Sequence, residues 1–139
     1  ISPEGNIDNN YDSNYIDTKK ILSEEGYVDY IMPQIYFGFL NEVMPFMETV
    51  NMWNSLITVD TIKLIPALAF YKVGTTDAYA KGGNNEWIEN NDIIKKQILI
   101  SRNVSNYGGF SLFRYDYLFN EEYLNDYLKK EKDNLNDIL

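Results

Sequence analysis

The side chains of this sequence that could act on a ligand are Glu4, Asn6, Gln34, Tyr36, Tyr71, Lys72, Trp87, Arg114 and Asp116. There is no His and no Cys. That excludes thiolate nucleophiles, Ser-His-Asp triads and zinc sites built on His or Cys. Acid–base chemistry must therefore use Asp, Glu, Tyr or Lys. Aromatic residues make up 15% of the chain, 12 of them Tyr. A surface rich in such rings suits carbohydrate, because sugar rings present flat C–H faces that pack on aromatic rings. The competing reading is compositional: chains rich in Tyr, Asn, Ile and Lys can simply reflect genome base composition.

What gives these residues weight is their shared placement. Two apolar runs, residues 28–37 ("VDYIMPQIYF") and 62–71 ("IKLIPALAFY"), and a third at 108–115 ("GGFSLFRY") read as strands. Each contains or follows a proline or a glycine pair. Ile1–Ser2 reads as the tail of a further strand, broken by Pro3 and Gly5. The polar and aromatic groups collect where these strands end. Glu4 and Asn6 follow the first, Gln34 and Tyr36 the second, Tyr71 and Lys72 the third, and Arg114, Tyr115 and Asp116 the last. Strand interiors carry almost none.

Helices are predicted between the strands. Asn14 can cap one over 15–25, with Gly26 ending it. A second fits 46–57, where Phe46, Val50, Trp53 and Ile57 share a face. A third fits 91–104, capped by Asn90 or Asn91, with Ile93, Ile94, Ile98 and Leu99 turned inward. A last one fits 121–138, its charged end expected to fray. Residues 1–14 read as polar and turn-rich, and 72–87 as a long loop. Strands that are apolar throughout and alternate with helices indicate a parallel sheet covered by helices. In such sheets ligands bind beyond the carboxyl ends of the strands.

Every candidate also has a structural reading. Glu4 could be a solvated loop carboxylate. Gln34, between Pro33 and Ile35, is expected to be partly buried and could tie strands together. Tyr36 and Tyr71 could be core aromatics with a wet hydroxyl. Lys72 could pair with Asp77, Arg114 with Asp116, and Trp87 could anchor its loop to the core.

With 139 residues, 45% of them hydrophobic, the chain is long enough for one ordinary domain. Its net charge of −9, from 21 acidic and 12 basic residues, disfavours nucleic acid and anionic membrane surfaces as partners. No apolar run approaches the ~18 residues of a membrane span, and no signal peptide or cofactor motif is visible. The sequence does not start with Met and is expected to be a piece of a longer chain. Without Cys, redox compartment is left open.

The segments "ISPEGN", "EGYVDYIMPQIYFGF", "LIPALAFYKVG", "NEWIENNDIIKKQI" and "GGFSLFRYDYLF" occur in this order. They resemble the carboxyl-terminal half of the glycosyl-hydrolase-like family 10 proteins of bacteria, in their clostridial form, over roughly residues 1–120. The resemblance implies an α/β fold, the second half of a TIM (β/α)8 barrel. Its parallel strands five to eight would be the partial strand at Ile1 and the three clear ones. Residues 121–139 would add a C-terminal helix and charged tail. It implies a glycoside hydrolase-like activity of the parent on a bacterial or other polysaccharide, without cofactor or metal. An extracellular or cell-envelope location is the matching expectation. Glu4 would be the acid/base or nucleophile candidate, and Asp116 a second acid. Asn6, Gln34, Lys72 and Arg114 would bind sugar hydroxyls, and Tyr36, Tyr71 and Trp87 would line subsites. Glycoside hydrolysis uses two carboxylates about 5 to 9.5 Å apart. The natural partner of Glu4 would be an acid at the end of strand four, upstream of Ile1.

Half a barrel leaves two unpaired sheet edges and an exposed apolar inner face. The expected partners are therefore the missing N-terminal half-barrel or a second copy of the chain, besides the oligo- or polysaccharide. The chain alone is expected to be inactive. The alternatives are a self-contained open α/β layer, a non-catalytic carbohydrate-binding module, and a structural surface domain.

Overall fold

The computed structural model describes residues 7–139. Its organising element is a parallel sheet of short strands: β1 (Tyr30–Ile31), β2 (Lys63–Leu64), β3 (Ala67–Leu68) and β4 (Ser111–Leu112). β1 pairs with β2, and β3 with β4, both in parallel. Bridges from Gln34 to Ala67 and from Leu64 to Tyr107 join the two pairs into three adjacent courses. The 62–68 course is the middle one. The prolines explain why each course is interrupted. Pro33 and Pro66 have no N–H to give, yet each carbonyl still accepts, from Ala67 N and Ser111 N. Opposite Pro66, the third course takes an extra residue. Leu64 bridges Tyr107 but Ala67 pairs with Ser111, so three steps on one side match four on the other. Gly109, at φ +139°, lies in that bulge.

One face of the sheet carries the core. Leu64 and Leu68 are buried in one cluster with Phe46, Val50 and Trp53 of α3 (Phe46–Leu56), Ile94 and Ile98 of α5 (Ile93–Ser101), and Leu128 and Leu135 of α7 (Asp126–Asn136). α3 buries the face its spacing predicts. The opposite sheet face is open along the first course and at Lys63 among the described residues: Tyr30 is 54% and Met32 43% exposed, and Gln34 and Lys63 are exposed beside them. Gln34 is thus not the partly buried amide expected. It shares the open side with Tyr30 and Met32, because alternate residues of a strand point the same way.

Several elements differ from expectation. Polar residues 7–14 form helix α1 (Ile7–Asn14), where the sequence reads as turns. α2 is short (Thr18–Ser23), because Asp17 rather than Asn14 caps it, accepting from Lys20 N at 3.0 Å. The 72–87 segment holds a 3₁₀ turn (Lys81–Gly83) and α4 (Glu86–Glu89). Leu99 on α5 is exposed, not inward. The third course ends early in α6 (Tyr115–Phe119). α7 begins where the Asn125 side chain accepts from Leu128 N. Its end is tied down instead of frayed: Lys95 pairs with Asp137 at 2.8 Å, and Arg102 donates to the Ile138 carbonyl.

α7 also supplies a fully buried carboxyl, Glu131. One oxygen accepts from Lys95 N at 2.8 Å in the first turn of α5, whose own N-cap side chain makes no such bond. The other oxygen has no partner among the described residues. Burial pushes the Glu131 carboxyl up to about 7, against the opposing hydrogen bond from Lys95 N. The folded state therefore holds a proton that the unfolded chain, at an ordinary 4.5, has released. The contribution of Glu131 to stability is fully present below the unfolded value and is lost as pH rises from about 4.5 to about 7, by roughly 3 kcal/mol. Glu131→Gln should flatten this slope and raise the melting temperature at pH 8 above that of the unaltered protein. Thermal melts at pH 5 and pH 8 check this; an unchanged slope in the variant would assign the pH dependence to other groups.

Candidate functional site

The three courses end side by side, and their ends are aromatic. The Tyr36 ring, from the first, meets the Tyr71 ring edge-on at 6.0 Å. Phe113, from the third, lies 5.6 Å from Tyr36 and 6.0 Å from Tyr71. Tyr117 on α6 adds a contact to Tyr71 at 6.1 Å. Arg114 stands 5.8 Å from the Tyr117 ring centre and pairs with Asp116 at 3.0 Å, both side chains partly exposed. Register explains the convergence of Tyr36 and Phe113. Gln34 and Ser111 both pair with Ala67, so two residues further on each course Tyr36 and Phe113 emerge on the same side.

Partial burial raises the Tyr36 hydroxyl above its usual range, with the neighbouring Tyr71 adding to it. Burial does the same for Tyr71, reinforced by the Asp77 carboxylate and Tyr117. Both therefore present neutral O–H groups at neutral pH. Neither hydroxyl bonds to another described residue. Rings with polar tips, next to a guanidinium and a carboxylate, form a surface that can stack on an apolar face while donating and accepting hydrogen bonds.

Side chains from far along the chain hold the first exit in place. Lys72 Nζ donates to the Tyr36 carbonyl at 2.8 Å and to Asp77 Oδ2 at 2.7 Å. The buried Gln97 on α5 donates to the Phe37 carbonyl at 2.8 Å. The buried Glu86 accepts from Phe39 N at 2.8 Å and Leu40 N at 2.9 Å. A Cβ at Gly38 would displace the Glu86 carboxylate from these two N–H groups. A backbone held by side chains at four of the five positions from Tyr36 to Leu40 has little freedom to move Tyr36.

Among the sequence candidates, the structure brings Tyr36, Tyr71, Arg114 and Asp116 to one end of the sheet, with Gln34 exposed just before them. Lys72 is there too, but both of its bonds are internal. Trp87 is not at the surface. It is 1% exposed and part of the core, so its ring offers no face to a ligand and it is the loop anchor of the structural reading. Glu4 and Asn6 lie outside the described residues. Sequence reasoning missed Phe113 and Tyr117, which sit in the quoted "GGFSLFRYDYLF" and could have been found from register. It also missed Glu86 and Gln97, for which no local signal exists. Among the described residues, no group of three or more acidic side chains could hold a metal ion, and no helix is long and apolar enough to cross a membrane.

No protein-family profile matches the chain, and no solved structure matches it. Several curated relatives do, among them the following. Glycosyl hydrolase DigH of Escherichia coli K12 and its counterpart in Shigella flexneri are each 33% identical over 110 residues. That of Escherichia coli O6:H1 (strain CFT073) is 32% identical over the same length. In each case the match covers 78% of this chain and 24% of the relative, so the chain spans about a quarter of the length of the curated proteins it matches. By sequence, then, the chain is related to a segment of proteins named glycosyl hydrolases.

Proposed function

We propose that the chain is the carboxyl-terminal half of a (β/α)8 glycosidase barrel of the glycosyl-hydrolase-like family 10 type, and that its parent cleaves a glycosidic bond in a polysaccharide. One observation carries this reading: Tyr36, Tyr71, Phe113 and Tyr117 meet at the downstream end of three parallel courses. The relationship to proteins named glycosyl hydrolases supports it. So does the sheet's architecture, with helices on one face and Tyr30 and Met32 uncovered on the other. In a barrel that open face is the interior, and the partner that covers it is the amino-terminal half of the parent or, for the isolated chain, a second copy.

In this reading Tyr36 and Tyr71 take the sugar ring, while Gln34, Asn6 and Arg114 bind its hydroxyls. Lys72 acts by fixing the Tyr36 backbone. Glu4 is the acid/base or nucleophile, with an acid from the preceding strand or Asp116 as the second carboxylate.

A non-catalytic sugar-binding module is the second reading, and a specific observation favours it. Asp77, Glu86 and Asp116 are each already bonded, to Lys72, to Phe39 and Leu40 N–H groups, and to Arg114. Titration calorimetry of the intact parent with cell-wall oligosaccharides, run beside a reducing-end assay, separates the two. Heat of binding with new reducing ends is the expected result. Binding without cleavage supports the module, and no binding at all removes carbohydrate from the account.

A further inference from the structure

The outward side of α6 carries two aromatic rings that the strand-exit cluster does not use. Tyr115 is 71% exposed and Phe119 58%. They are four residues apart on one helix face, with ring centroids 4.8 Å apart and planes tilted by 38°. Tyr117 falls on the other side of the helix, as two steps of about 100° require, and packs on Tyr71 and on Tyr123. α6 thus separates two aromatic groups, with Tyr117 on the side of the strand-exit cluster and Tyr115 and Phe119 on the solvent side. Large rings left together in water mark a surface that something covers.

The groups around them indicate what. Lys132 Nζ lies 5.1 Å from the Phe119 ring centre and is itself bonded to the Leu118 carbonyl. The Arg114–Asp116 ion pair stands at the start of the same helix, its charges cancelling each other while its outer lone pairs and N–H groups face water. A polyanion would approach a chain of net charge −9. An apolar protein helix seeks aliphatic ridges and a dry groove, and here it would meet two splayed rings beside charged groups. An uncharged sugar fits both features, with C–H faces for the rings and hydroxyls for the neighbouring donors and acceptors.

We propose that Tyr115 and Phe119 form a second platform for neutral sugar residues, across α6 from the strand-exit pocket, where it holds the part of a glycan chain that extends beyond that pocket. This rests on the carbohydrate reading of the pocket. The test uses the intact parent and a Tyr115→Ala/Phe119→Ala variant, in which both altered rings are exposed, so an unchanged melting temperature is expected. Binding is measured by calorimetry with a disaccharide and an octasaccharide of β-1,4-linked N-acetylglucosamine, and with the corresponding glucose oligomers. The octasaccharide should lose about tenfold or more in affinity, and the disaccharide should bind as before. Equal affinities of variant and unaltered parent for the octasaccharide would overturn the platform, as would an equal loss for both lengths, which would put these rings inside the pocket. If the unaltered parent binds neither length, the pocket reading falls and the platform with it. Hydroxyl-radical labelling of the sugar-free parent supplies a further check: rings already shielded there are covered by another part of the parent, which also overturns the proposal.

Discussion

Lys72→Met is expected to cost about 3–5 kcal/mol of folding stability, far more than removal of a surface lysine. The ammonium is 2.7 Å from Asp77 and 2.8 Å from the Tyr36 carbonyl, and the two charged side chains are only 16% and 2% exposed. Without the cation, the Asp77 carboxylate stays buried with a single weak donor among the described residues, Tyr79 N at 3.2 Å. Such an uncompensated charge is what makes breaking a buried pair expensive. Adding Asp77→Asn removes that charge and should recover more than half of the loss, because the amide oxygen can still accept from Tyr79 N. Urea unfolding of the single and double variants measures both effects. A single-variant cost below about 1 kcal/mol would mean that water reaches the pair and that it does not clasp the first and middle courses. The functional consequence follows from the same bonds. Lys72 fixes the backbone of Tyr36 and neighbours Tyr71, so the variant should also loosen the edge-on contact between the two rings.

The second large effect concerns chemistry. In the intact parent, Glu4→Gln should lower turnover by about 10²–10⁴-fold, the usual share of a positioned acid or base, with little change in stability. The amide keeps the shape of the carboxyl group and removes its proton chemistry and charge. Sugar affinity should be nearly unchanged, because ring stacking on Tyr36 and Tyr71 does not depend on that group. A Glu4→Gln parent with full turnover would remove Glu4 from the mechanism and shift attention to Asp116 and to acids upstream.

How much of this was legible in the sequence depends on how local each cause is. α3 was readable because Phe46, Val50, Trp53 and Ile57 repeat at helical spacing and all four are buried. The gathering of polar and aromatic groups at strand exits was readable too, since a parallel strand changes composition where it leaves the core. Exposure of Gln34 was not. Tyr30 and Met32 on its side of the strand are large and mostly apolar, like Ile31 and Ile35 on the other, so the alternation marked the open side only weakly. The positions of Glu86 and Gln97 were beyond reach for another reason. Their bonds to Phe39 and Phe37 span 47 and 60 residues, and nothing near either residue announces a partner so distant. Trp87 carried two readings, a loop anchor and a subsite ring, and its burial in the core bears out the anchor.

The account stands on sugar being held where the strand courses end. The most direct test is a crystal structure of the Glu4→Gln parent with an uncleaved oligosaccharide. The account predicts a sugar ring in van der Waals contact with Tyr36, Tyr71 or Phe113 at the downstream end of the sheet. A glycan bound instead at the upstream end, beside Asp29 and Asn106, with those rings bare, would contradict it.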